Sequence, residues 1–249
     1  MPFRISSIVA ATTLALATPA LAQEESSDPA LTVTGGVTLA SQYRFRGISL
    51  SDEQAALQGT INLNHASGAY AGLWASSLDG FGELGGSNLE LDLYAGYKWD
   101  LGGPVLDTGL LYYAYPGSTG GDYEFFEPYA NISGTAGPAT YKVGFAYAWS
   151  QAGIGDNANL YVFGDAGLPI AGSPVTLKAH LGYSDGDTTL TPTGSYLDWS
   201  LGADFAWRNL TLGVAYVDTD ITAAENAALV DPARNITDGA VVFSLTASF

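Results

Sequence analysis

The chain contains no cysteine, one methionine and two histidines. The first absence excludes disulfides and thiolate metal sites. Charge is scarce as well. Only 13% of the residues are charged, where a soluble domain averages about 25%. Basic residues are the rarer sign, with 8 Lys and Arg against 25 Asp and Glu and a net charge of −17. Phosphate is repelled by such a chain, which excludes a nucleic-acid partner. Beyond residue 22 no apolar run approaches the roughly 20 residues that a membrane-crossing helix needs. A bilayer, if the chain meets one, must therefore be crossed by strands.

Glycine (31) and tyrosine (15) are abundant in a chain that is 47% hydrophobic. Residues 1–22 read as a secretory signal peptide. Arg4 supplies the positive start, Ile8 to Thr18 the apolar run, and Ala20-Leu21-Ala22 the small-residue cleavage site before Gln23. Residues 23–30 read as a disordered lead-in, and residues 31–249 as one outer-membrane β-barrel.

The last stretch, GAVVFSLTASF, shows the pattern most plainly. Val241, Phe243, Leu245, Ala247 and Phe249 alternate with Ala240, Val242, Ser244, Thr246 and Ser248. A period of two marks a strand with one greasy and one wetter face. An outer-membrane barrel closes with its final strand, and its lipid face carries aromatic girdles. Phe249 is expected to act as the assembly signal read by the barrel-assembly machinery. Eleven further segments alternate in the same way: 31–48, 55–64, 69–77, 88–99, 105–115, 122–133, 139–149 and 158–168, then three that begin near Val175, Leu197 and Leu210. Tyr70 and Trp74 compete with Leu73 for the outward face of the third. Pro128 weakens the sixth, because it cannot donate to a ladder. Connections alternate between short turns and longer acidic loops, as in outer-membrane barrels. The fold class is thus all-β, a transmembrane antiparallel up-and-down β-barrel of twelve strands.

Three stretches carry a family likeness: Ser41-Gln42-Tyr43-Arg44-Phe45-Arg46-Gly47-Ile48-Ser49, Glu90-Leu91-Asp92-Leu93-Tyr94-Ala95-Gly96-Tyr97 and Tyr113-Ala114-Tyr115-Pro116-Gly117. The chain resembles the TorF family of proteobacterial porins over its whole mature length. That resemblance implies an outer-membrane barrel that serves as a channel, with no catalytic residues to carry over.

Twelve tilted strands give a backbone cylinder of about 12 Å radius and, after inward side chains, a lumen of about 5–6 Å radius. The expected pore-lining residues are the inward charges: Arg44, Arg46, Glu90, Asp92, Lys98, Glu127, Lys142, Asp165, Lys178, His180, Asp198 and Asp204. Counting inward from the turns places Lys142, Asp165, Lys178 and Asp204 at one height, with alternating sign. They are expected to form a lateral salt-bridge ladder, either a stiffener of the wall or a selectivity constriction. Arg44 and Arg46 are expected to face Glu90 and Asp92 across the lumen. Asp52, Glu53, Asp79, Glu83, Asp156, Asp185, Asp187, Asp218, Asp220 and Glu225 form an acidic rim that would concentrate cations. Asp185-Gly186-Asp187 lacks a full oxygen set for calcium. His180 with Asp198 or Asp204 is the sole candidate for catalysis, and no G-x-S-x-G elbow accompanies it.

The expected function is passive diffusion of ions or small solutes across the bacterial outer membrane, with no reaction, metal or cofactor. The alternative is a plugged barrel with a structural role, or a surface-interaction role through its acidic loops. The lipid bilayer is an expected partner, and a homo-oligomer is left open.

Overall fold

The computed structural model describes residues 30–79, 84–229 and 234–249. The expected signal peptide, nearly all of the lead-in, and Glu83 lie outside them. In chain order the strands are β1 (Leu31–Ala40), two short ones, β2 (Arg44–Phe45) and β3 (Ile48–Ser49), then β4 (Ala56–His65), β5 (Ala69–Ser77), β6 (Leu89–Asp100), β7 (Val105–Ala114), β8 (Phe125–Ala136), β9 (Ala139–Ala148), β10 (Asn159–Pro169), β11 (Val175–Asp185), β12 (Ser195–Trp207), β13 (Leu210–Thr219) and β14 (Ala240–Ser248). One helix, α1 (Ala223–Leu229), lies between β13 and β14.

All but β2 and β3 close into one antiparallel barrel of twelve strands, the number read from the alternation. The seam joins β1 to β14, from Gly36↔Ser248 to Ala40↔Ser244. One step further on, Gly35 and Phe249 exchange both backbone hydrogen bonds at 2.9 Å. Gly35 is required there, because a Cβ would lie 2.7 Å from the Phe249 ring and from the Thr60 carbonyl oxygen. Closure leaves no open sheet edge, the condition for putting backbone into hydrocarbon.

The two faces of the wall are inverted relative to a soluble protein. Leu201 is 64% exposed, while Glu90 is 1% exposed. Leu39, Leu57, Val143, Leu181, Trp207 and Phe243 also point outward, and Asp92, Glu127, Asn159 and Asp198 inward. Covering a leucine side chain is worth about 1.5–3 kcal/mol. Such a wall forgoes that gain many times over unless hydrocarbon covers it. The third segment resolves with Leu73 outward, while Trp74 packs against Tyr43 inside and the Tyr70 hydroxyl donates to Asp107 at 2.6 Å.

Tight turns link alternate strands at the end that holds Leu31 and Phe249. Gly137 (φ 60°) and Pro138 make the two-residue turn between β8 and β9, a glycine-first hairpin whose second position suits the fixed φ of proline. Longer loops occupy the opposite end. Pro128 stays within β8, and its effect is local. The β8–β9 ladder begins only at Tyr129↔Ala146. Two residues before the proline, the Phe126 N–H donates to Gln151 Oε1, and Gln151 Nε2 donates to the Phe126 carbonyl, both at 2.8 Å. A side-chain amide thus stands in for the missing strand.

One segment departs from the sequence reading. The first strand, expected over 31–48, ends at Ala40. The chain then turns inward, and Arg44–Phe45 pairs with Ile48–Ser49 in a separate small hairpin. Its tip is Arg46 (φ 48°) and Gly47 (φ 83°), the two left-handed positions of a type I′ turn. Two apolar clusters flank this hairpin in the loop half of the barrel. One gathers Tyr43, Tyr113, Tyr115, Phe125 and Ile154, and the other Ile48, Tyr196, Ile221 and Ile236.

Candidate functional site

The β2–β3 hairpin crosses the interior of the barrel. Its stem is held by Arg44, which donates from Nε to Gln42 Oε1 (2.9 Å) and from Nη1 to the carbonyls of Gly47 and Asp238 (2.8 Å each). Arg44 Nη2 also lies 3.7 Å from Glu53. The Ser49 N–H donates to the Ile236 carbonyl (2.8 Å) and the Tyr43 N–H to Ser51 Oγ (2.8 Å). Ile236 and Asp238 back this stem, and α1 lies between β13 and these residues. Thr222 and Glu225 form a capping box at the start of α1. Hydrogen bonds from the Thr222 hydroxyl and then its N–H hold the Glu225 carboxyl below the usual carboxylate range.

At the tip, Arg46 Nη2 donates to both oxygens of Glu127 on β8, at 2.7 and 2.8 Å. Its Nη1 donates to Asn159 Oδ1 at 3.1 Å. The guanidinium carbon lies 4.1 Å from the Tyr161 ring centre and 4.8 Å from that of Phe45. Tyr113 adds a hydroxyl donor to Glu127 at 3.1 Å. The side chains of Arg46 and Glu127 are 6% and 2% exposed. Losing one member of such a pair strands a buried charge, at a cost of about 3–5 kcal/mol.

Arg44 and Arg46 therefore do not lie on the first barrel strand, and Arg46 meets Glu127 rather than Glu90 or Asp92. The reason is the turn. It reverses the chain inside the barrel and carries Arg46 past β6. Glu90 receives the Tyr43 hydroxyl at 3.2 Å. Asp92 sits in register between Trp74 on β5 and Tyr113 on β7.

Nearer the turn end lies a belt of charge. Lys142 Nζ is 3.0 Å from Asp165, and Lys178 Nζ is 3.2 Å from Asp204. Asp165 stands opposite His180, and Lys178 opposite Gly167 and Gly202. His180 takes the central place. Its Nδ1 lies 2.6 Å from Asp165, and its Nε2 lies 3.0 Å from Asp198 and 2.9 Å from the Tyr161 hydroxyl. Lys98 sits 4.8 Å above the Tyr70 ring, away from this belt.

Tyr161, Asn159, Tyr43 and Asp107 belong to these networks and were not among the expected residues. Each falls on an inward position of its strand or on the hairpin, and counting charges alone passes over three of them. Several rim acids are structural partners: Asp52 faces Arg234 at 3.7 Å, and Asp220 accepts the Leu197 N–H at 2.7 Å. Among the described residues, no group of three or more His, Cys, Asp or Glu is arranged to hold a metal ion.

A family model described as "Bacterial protein of unknown function (Gcw_chp)" matches residues 23–249. No curated protein matches the chain. Among solved structures the fold is similar to the NanC porin, with a TM-score of 0.59 and 11% identity over 86% of this chain and 98% of that one. It is similar to the KdgM porin, with a TM-score of 0.56 and 9% identity over 87% and 98%. The COG4313 outer membrane channel from Pseudomonas putida F1 aligns with a TM-score of 0.51 and 11% identity over 90% and 99%.

Proposed function

The chain belongs to the Gcw_chp family, and we propose that it is an outer-membrane channel for passive diffusion of ions or small solutes, gated by the β2–β3 hairpin. The observation that carries this reading is the interior itself. A closed wall bears a partly exposed charged belt at one end and a loop-borne Arg46–Glu127 latch at the other. The porin and channel neighbours support the same reading at the level of fold. Kinship with the TorF porins, suggested by the motif around Arg44 and Arg46, is part of this proposal. So are export through a signal peptide at residues 1–22, recognition of Phe249 by the assembly machinery, and the absence of an enzymatic reaction.

Planar-bilayer recording tests the function. The intact protein is expected to give small or infrequent steps, and deletion of residues 42–51 large and stable ones. One further reading has a specific observation in its favour. The hairpin is buried against both apolar clusters, as in a permanent plug with a structural role. Silence from both the intact and the deleted protein, each verified as a folded barrel, would favour the plug.

A further inference from the structure

Arg46 is a cation carried by a loop and held by the wall. Its guanidinium occupies a cage made by Glu127 on β8 and by Asn159 and the Tyr161 ring on β10. Beside the cage, β6 contributes two more acids. Glu90 is fully buried and Asp92 is 7% exposed, and among the described residues no donor reaches Glu90 Oε2 or Asp92 Oδ1. A buried carboxylate oxygen without a donor is costly. The neighbours of Asp92 do not relieve it with charge, since Trp74 and Tyr113 stand opposite it on the two adjoining strands. The Tyr113 hydroxyl bonds Glu127, and Tyr113 stands opposite Asp92 in register, so the two groups form one cluster. The wall thus presents three acid side chains and several aromatic faces, and the hairpin tip supplies the guanidinium.

We propose that this cluster is a recognition site for an organic cation bearing a guanidinium group, and that Arg46 is its tethered stand-in while the hairpin is docked. Planar forks suit carboxylate pairs, and aromatic faces attract desolvated cations. Those two features together select an organic cation over a hydrated metal ion. A free guanidinium compound would compete with Arg46 for Glu127, displace the tip, and find Glu90 and Asp92 beyond it. The inference deepens the channel reading and rests on it for the route of access.

Calorimetric titration of the full-length protein in detergent with argininamide tests the site without any conduction. The intact protein is expected to bind weakly, because Arg46 competes. Arg46→Ala vacates the cage and is expected to tighten binding about tenfold or more. Adding Glu127→Gln or Asp92→Asn to that variant is expected to weaken it about tenfold or more again. Glutarate, an anion, is expected to bind neither form. Heat-modifiable gel mobility verifies that each variant is a folded barrel, and Glu90→Gln serves if Asp92→Asn does not fold. Unchanged affinity in Arg46→Ala, indifference to the carboxamide substitutions, or equal displacement by sodium at matched ionic strength would overturn the inference. A protein silent in bilayers that binds argininamide as described would sink the channel and keep the site. A conducting protein that shows no such binding would do the reverse.

Discussion

The two halves of the barrel interior are built on different principles. Toward the loop end, the hairpin packs between two apolar clusters, and its one tip charge is buried against Glu127. That half resembles the core of a soluble domain, where contacts are dense and each is expensive to lose. Toward the turn end, part of the charge on the wall remains wet, although Lys142 and Asp198 are covered. Asp165 and Lys178 side chains are 33% and 34% exposed. Pairs of that kind contribute little stability. The loop half is therefore an inserted part held by a few strong contacts, and the turn half is fixed wall. In the proposed channel, function would follow the same division: the first half would open and close, and the second would only bias what passes.

The sharpest way to break this contrast is at the latch. Arg46→Ala leaves Glu127 buried and unpaired, and is expected to cost the docked hairpin about 3–5 kcal/mol. Open time in single-channel records should rise by two orders of magnitude or more. Pairing it with Glu127→Ala in a double-mutant cycle should recover most of that loss. Next in size is Gly47→Ala. The new methyl would lie 2.4 Å from Thr219 Cγ2, at a φ of 83° that favours glycine. About 1–3 kcal/mol of hairpin docking should disappear, read as lost amide-exchange protection at residues 44–49 with β4–β14 unaffected. Equal loss of protection throughout the barrel would mean that the hairpin is not a separable part.

Tyr161 joins the two halves. Its ring lies under Arg46 while its hydroxyl serves His180 and Asp198. Tyr161→Phe keeps the ring and removes the hydroxyl, which is worth about 1.5–3 kcal/mol next to a charged group. Barrel melting should fall, with open time in bilayers unchanged. A rise in open time would show that the belt and the latch communicate through this residue.

The barrel was legible in the sequence because a lipid-facing wall around a polar interior imposes a period of two on every strand. The same rule hid the hairpin. Tyr43, Arg44, Phe45 and Arg46 continue the alternation of β1 after the strand has ended, so periodicity carried the first segment to residue 48. Gly47 was the available signal, as a glycine that completes a two-residue turn after Arg46. The Glu127 partner had no local signature, since it lies 81 residues away and depends on where the loop folds. Counting inward positions brought Lys142 beside Asp165. It did not reveal that His180 would take the other face of that carboxylate, because cross-strand register decides that contact.

The smallest expected effect belongs to the belt. Lys142 lies against Asp165 and Lys178 against Asp204, the first lysine largely covered and the second partly wet. Replacing both with alanine removes two positive charges from the wall and leaves Asp165 and Asp204 behind. Screened charges of this kind are worth about 0.5–1 kcal/mol together to a passing ion, so the cation-to-anion permeability ratio should rise about two- to fivefold. Asp165 keeps His180 and is not stranded, so melting should barely change. Reversal potentials under a salt gradient read this directly, and best in a hairpin-deleted background where the latch no longer limits flow. An unchanged ratio there would place the selective step in the loop half, and the Glu90, Asp92 and Glu127 cluster would then carry both closure and choice of solute.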